Sequence, residues 1–170
     1  GDDGPDWTTL PTINIGDAYY RAVSDDSTDN SARVRAAVAD LEAEGGGTIE
    51  VPVGPGFLMT DIDVSGSGIR FKGHSRYGSR LVSRSGNLFN IASADGVVFE
   101  SLKLDATAGH VFHIPAGSGL SYAYWHDLSI RQYSANHSVL SGDGIGDFID
   151  NRWDHVTTTH REDATVPTFF

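Results

Sequence analysis

Acidic and imidazole side chains recur along this chain at a steady interval. Lys72, Glu100, His126 and Asp154 form one series, and Gly73, Ser101, Asp127 and His155 form the series beside it, each step being 26 to 28 residues. Two carboxylates flanking a glycosidic bond can hydrolyse it, about 5–5.5 Å apart with retention and about 6.5–9.5 Å apart with inversion. In that chemistry Glu100 or Asp127 is the general acid and Asp154 the base, while His126 or His155 orients or binds the sugar. An eliminating enzyme needs a base beside a neutralising cation or metal, and Arg131 and His155, or Lys103, are the candidates for the base. The same residues also satisfy a plainer arrangement. A solvated corner would pair Lys72 with Glu100 and Asp154 with His126 across successive turns.

What must position these residues is a repeat. Ile69-Arg70-Phe71-Lys72-Gly73, Val97-Val98-Phe99-Glu100-Ser101, Ala123-Tyr124-Trp125-His126-Asp127 and Asn151-Arg152-Trp153-Asp154-His155 align as successive copies. Phe71, Phe99, Trp125 and Trp153 then share one column, and Leu102, Leu128 and Val156 share another three residues on. A second strand family recurs as Gly86 to Ile91 and Gly109 to Ile114, with His137 to Leu140 as a weaker copy and Pro167 to Phe170 as the start of a further one. A period in the high twenties, made of short strands with glycine-rich corners, predicts a solenoid. Neighbouring coils lie about 4.8 Å apart, so Glu100 and Asp154, two coils apart, sit roughly 9–10 Å from each other. The aromatic column belongs to the core. For Phe99, Leu102 and Leu104 all to point inward, the strand needs a corner at Glu100-Ser101.

Upstream lies Asp29 to Phe57, DNSARVRAAVADLEAEGGGTIEVPVGPGF. Val34, Ala37, Val38 and Leu41 make the apolar stripe of an amphipathic helix, with Ser31 placed to cap its first turn. Gly45 to Gly47 stop it, and Thr48 to Val51 follow as a strand. This order resembles the opening of pectate-lyase-like right-handed parallel β-helices, in which a short helix caps the end of a solenoid and a glycine-led strand starts the first coil. The resemblance implies an all-β fold, a right-handed parallel β-helix (solenoid) with an N-terminal capping α-helix. Residues 1–28 would form a lead-in arm, and residues 29–170 the cap and about four to five coils. It further implies a viral tail-spike or fibre type of module, trimeric, that binds a cell-surface polysaccharide or glycoprotein on a virion or outside the cell. Two alternatives share the fold: a polysaccharide hydrolase or lyase, and a structural spike segment without a ligand.

Composition narrows the classes. A formal charge of −11, from 18 Asp and 5 Glu against 10 Arg and 2 Lys, argues against nucleic acid and anionic membrane as partners. Dense aspartate suits a protein working in high salt, where charge repulsion is screened. No cysteine is present, which removes disulfides and thiolate metal sites. No run is long and apolar enough to span a membrane. No spacing calls for a metal or cofactor: Gly142 to Asp150 is aspartate-rich yet matches no calcium loop, and His110 and His113, three apart, are expected on opposite faces of a strand. The arm is expected to carry strands at Thr12 to Ile15 and Ala18 to Val23. The chain starts without Met and ends in an apolar run, so a longer native chain or a docked subunit is expected at that end.

Overall fold

The computed structural model describes residues 9–92, 94–134, 136–142 and 148–160. All strand pairings among these residues are parallel and run in three sheets that wind around one core. The largest sheet runs β1 (Thr12–Asn14), β2 (Gly47–Val51), β5 (Ile69–Gly73), β9 (Val98–Ala106), β12 (Tyr124–Gln132) and β15 (Arg152–His160), with β3 (Phe57–Leu58) and β6 (Arg80–Ser83) joining β9 from the side. The second stacks β4 (Ile62–Val64), β7 (Phe89–Ile91), β10 (Phe112–Ile114) and β13 (Leu140–Gly142). A third, of two-residue strands, holds β8 (Ala94–Asp95), β11 (Leu120–Ser121) and β14 (Phe148–Ile149). The fold is therefore a parallel β-helix of about four turns with a single short helix, α1 (Ser31–Ala43).

The repeat sets the register. Phe71 pairs with Phe99, Phe99 with Trp125, and Trp125 with Trp153, while Leu102, Leu128 and Val156 follow in the same ladders. Across the interior Phe89 pairs with Phe112, and Phe112 with Leu140. Rings stacked along one column lie nearly parallel, Phe71 and Phe99 at 5.3 Å and Trp125 and Trp153 at 4.2 Å. Rings from facing columns meet edge-on or tilted, as Phe71 does with Phe89 at 4.9 Å. Both arrangements suit the ring quadrupole, so the interior packs as two interleaved aromatic columns.

Two corner columns bend each turn. One is Ser101, Asp127 and His155, with φ of 53°, 51° and 51°. A left-handed residue there interrupts the alternation of the strand, which is why Glu100 and Ser101 both face outward and Leu102 turns back in. The other is Gly68, Gly96, Tyr122 and Asp150, with φ of 69°, 69°, 54° and 49°. Gly68, Gly96 and Tyr122 each donate a backbone N–H to the turn above, to Asp95, Ser121 and Ile149 at 2.9 Å. The first two turns meet this demand with glycine; the next two do not.

Helix α1 buries the expected stripe, Val34, Ala37, Val38 and Leu41, and packs on β2, β4 and β5. It ends in a Schellman turn: Gly45 takes φ 83°, Gly46 N–H reaches Leu41 O at 2.8 Å, and Gly45 N–H reaches Glu42 O at 3.2 Å. Its N-cap is Asn30 rather than Ser31, and no side chain caps it. Asn30 is instead drawn off by Val23, accepting its N–H at 2.7 Å and donating to its carbonyl at 2.9 Å. Ser31 accepts Thr60 N–H at 2.9 Å and donates to Asp29, so it anchors the cap to the coil. The expected strand at Thr12 forms as Thr12–Asn14 and pairs with β2, but residues 18–23 form a turn and an irregular segment, where Tyr20 Oη donates to Asp40 at 2.6 Å. Residues 143–147, and the apolar run Val166 to Phe170, lie outside the described residues.

Two outcomes test this account. A tyrosine in the left-handed region carries roughly 1–2 kcal/mol of backbone cost, so Tyr122→Gly should raise stability by about 1 kcal/mol, a Tm gain of roughly 2–4 °C. The Asp29 carboxyl is held below its ordinary value by the Ser31 hydroxyl and N–H, with Arg35 adding to the effect against desolvation. A depressed carboxylate stabilises the fold above about pH 4 and loses that contribution as pH falls through its folded value. Asp29→Asn should therefore lower Tm at pH 7, and the deficit should shrink as melts are taken toward pH 3.

Candidate functional site

The corner at Ser101, Asp127 and His155 turns each strand so that two consecutive residues face outward. Three turns thus present a two-by-three array: Glu100 and Ser101, His126 and Asp127, Asp154 and His155. Register places Glu50, Lys72, Glu100, His126 and Asp154 in one ladder. Beside it, two residues earlier, runs the ladder of Arg70, Val98, Tyr124 and Arg152.

Every carboxylate in the array has a partner from its own chain. Glu100 pairs with Arg70, not with Lys72. Lys72 is its register partner but stays exposed, whereas the guanidinium of Arg70 reaches the carboxylate diagonally. Asp127 accepts from Ser101 Oγ at 3.1 Å and faces Arg76 at 3.5 Å. Asp154 is engaged on both oxygens: Oδ2 lies 3.1 Å from His126 Nδ1 and accepts from Tyr124 Oη at 3.2 Å, and Oδ1 lies 2.9 Å from His155 Nδ1. The expected pair of Asp154 with His126 is therefore present.

Desolvation pushes the Asp154 carboxyl up, but the hydrogen bonds and charges from His155, Tyr124 and His126 outweigh it and hold the carboxyl below its usual value. It stays ionised through neutral pH, suited to act as a base, an acceptor or a cation ligand. Burial, reinforced by Asp154, pushes the Tyr124 hydroxyl up, so that it remains a donor. Tyr124 stacks on His126 at 5.4 Å and lies under the Arg152 guanidinium at 5.5 Å.

Arg131 stands apart from this array. It lies five residues beyond His126, in register with Asp105 and Thr159, and bonds Tyr133 Oη at 3.4 Å. Arg70 and Tyr124 are not among the residues the spacing singles out, yet they share the outward face with Lys72 and His126 by simple alternation, so the period carries a signal for them. Arg76 could not be found that way. It sits in the loop between β5 and β6, yet donates to Leu128 O at 3.1 Å, to Thr157 Oγ1 at 2.6 Å and to His155 O at 3.4 Å.

On the second sheet His113 pairs with Asn90 as expected, but His110 and His113 share a face, their rings stacked at 5.7 Å. His110 lies in the bend before β10, where Val111 and Phe112 both point inward, so strand alternation does not yet apply. His137 meets the His110 ring edge-on at 4.8 Å.

No protein-family model and no curated protein matches the chain. Among solved structures it is similar to ORF18 of Geobacillus virus E2, with a TM-score of 0.52 at 13% identity over 93% of this chain. It spans 45% of that protein. A weaker likeness, TM-score 0.35 at 12% identity, covers 86% of this chain and 97% of a suspected glycosyl hydrolase from Parabacteroides merdae. At such identities the first likeness supports the β-helical fold alone.

Arg76 gives this subsection its test. Arg76→Ala removes charge-assisted hydrogen bonds to two distant turns and should cost about 1.5–3 kcal/mol in denaturant melts. Arg76→Lys should recover less than half, because a point charge cannot fork to several acceptors.

Proposed function

We propose that this chain is a β-helix module of a virion surface structure, of the pectate-lyase-like kind, that binds a cell-surface polysaccharide through the outward face of its largest sheet. The observation that carries this reading is Tyr122. It stands 59% exposed at a corner where the two preceding turns use glycine, and it holds a backbone conformation that costs a bulky residue stability. Strain retained at an exposed aromatic points to a role for the ring. From Tyr122 the outward face continues through Tyr124 and His126, and along the axis through Glu100, Asp127 and Asp154. Aromatic surface beside preoriented acceptors and guanidinium donors is suited to a sugar ring, which offers one apolar face and a rim of hydroxyls. Lys72, His126 and His155 then serve as contacts around the carboxylates, and Arg131 lies outside that group. The likeness to a virus protein agrees with the virion setting. A homotrimer is part of the same reading.

A hydrolase or lyase on the same face is the second reading. It draws on the ionised Asp154, which suits a catalytic base, with Glu100 or Asp127 as the proton donor.

The test is binding of the chain to purified host-surface polysaccharides, with reducing-end release followed in parallel and solution mass measured in low and molar salt. Binding without cleavage, falling at least tenfold in Tyr122→Ala and Glu100→Gln while the melting curve holds, supports the binding module. Cleavage abolished by Asp127→Asn or Asp154→Asn moves the assignment to the enzyme. Neither binding nor cleavage leaves a structural segment. A well-folded monomer in both salts removes the trimer.

A further inference from the structure

We propose that His126, Asp154 and His155 form a binding site for a first-row divalent transition ion such as zinc or nickel. The three are the one group of His and acidic donors among the described residues whose ligand atoms converge, all lying within 4.8 Å of one another. Both imidazole Nδ1 atoms address the Asp154 carboxylate, at 3.1 Å and 2.9 Å. Two ligands about 2.1 Å from a shared ion lie about 3 Å apart at a right angle and about 3.4 Å apart at the tetrahedral angle, so a small rotation of the side chains, which now address opposite oxygens of Asp154, closes the group into a coordination shell.

The fold supplies this convergence from two directions. Register brings His126 beside Asp154 from the adjacent turn. The left-handed backbone of His155, φ 51°, keeps it on the same outward face as its chain neighbour, where an ordinary strand would send the two to opposite sides. Tyr124 Oη donates to Asp154 Oδ2 at 3.2 Å and so braces the carboxylate, the kind of outer partner that orients a metal ligand. Two imidazoles with one carboxylate select borderline ions of the zinc, nickel and copper group over calcium or magnesium, which take all-oxygen shells. Three protein ligands on an open face leave further positions for water or an incoming oxygen donor. None of this depends on the carbohydrate reading.

The experiment is a titration of the untagged chain with zinc and with nickel, without any glycan, followed by calorimetry and by thermal melts. Saturable one-to-one binding and a Tm that climbs with free ion are expected, with calcium and magnesium inert. His126→Ala and His155→Asn should each weaken binding at least tenfold, asparagine being chosen because it tolerates the left-handed corner. Tyr124→Phe should weaken it by about tenfold through lost bracing, and the double variant His110→Ala/His137→Ala should bind as wild type does. The proposal is overturned if neither ion binds, or if binding survives removal of His126 and His155 together, which would put the ion on the other histidines.

Discussion

Parallel strands in register hold each side chain about 4.8 Å from its counterpart in the next turn, and the rest of this molecule follows from that. Inside, the distance suits aromatic rings, which is why Phe71, Phe99, Trp125 and Trp153 can share a column and meet Phe89 and Phe112 edge-on. Outside, the same distance would set equal charges against one another. The chain avoids this by varying the outward ladder from turn to turn: Glu50, Lys72, Glu100, His126, Asp154. Alternation of charge along the axis is thus a condition of stacking. Chemistry on this face has to be built from what that condition permits.

The fold was legible because its period is carried by large residues whose spacing survives the irregular corners. The Phe/Trp column alone aligns four turns, and the corner at Glu100-Ser101 follows from Phe99 and Leu102, which are three apart and must both turn inward. The third sheet was not legible. Its strands are two residues long, and Ala94 and Leu120 carry no pattern that separates them from the flanking loops. Ser31 reads as the N-cap in the sequence because its hydroxyl suits either a helix end or a tertiary anchor, and only the position of Thr60 decides between them.

The site was legible as columns but not as contacts. Sequence spacing says which residues share a ladder; it does not say how far a side chain leans. Glu100 therefore went to Arg70 over its register partner Lys72. The convergence of His126, Asp154 and His155 needs both a register and a left-handed corner, and no linear spacing motif of metal ligands expresses that combination. Histidine and aspartate from different turns look unrelated in the sequence, although they are neighbours in space.

Arg76 alters how a stack of this kind should come apart. In a solenoid each turn ordinarily touches only the turns on either side, so stability behaves as a chain of nearest-neighbour links and fraying can begin at an end and stop anywhere. Arg76 leaves a loop after β5 and bonds backbone and side chain on β12 and β15, two and three strands further along the sheet. It works as a clasp across several links. Partial unzipping from the β15 end has to release it at once, so the middle of the stack is bound into a single cooperative block, and the acidic face that lies over it opens or stays closed as one piece.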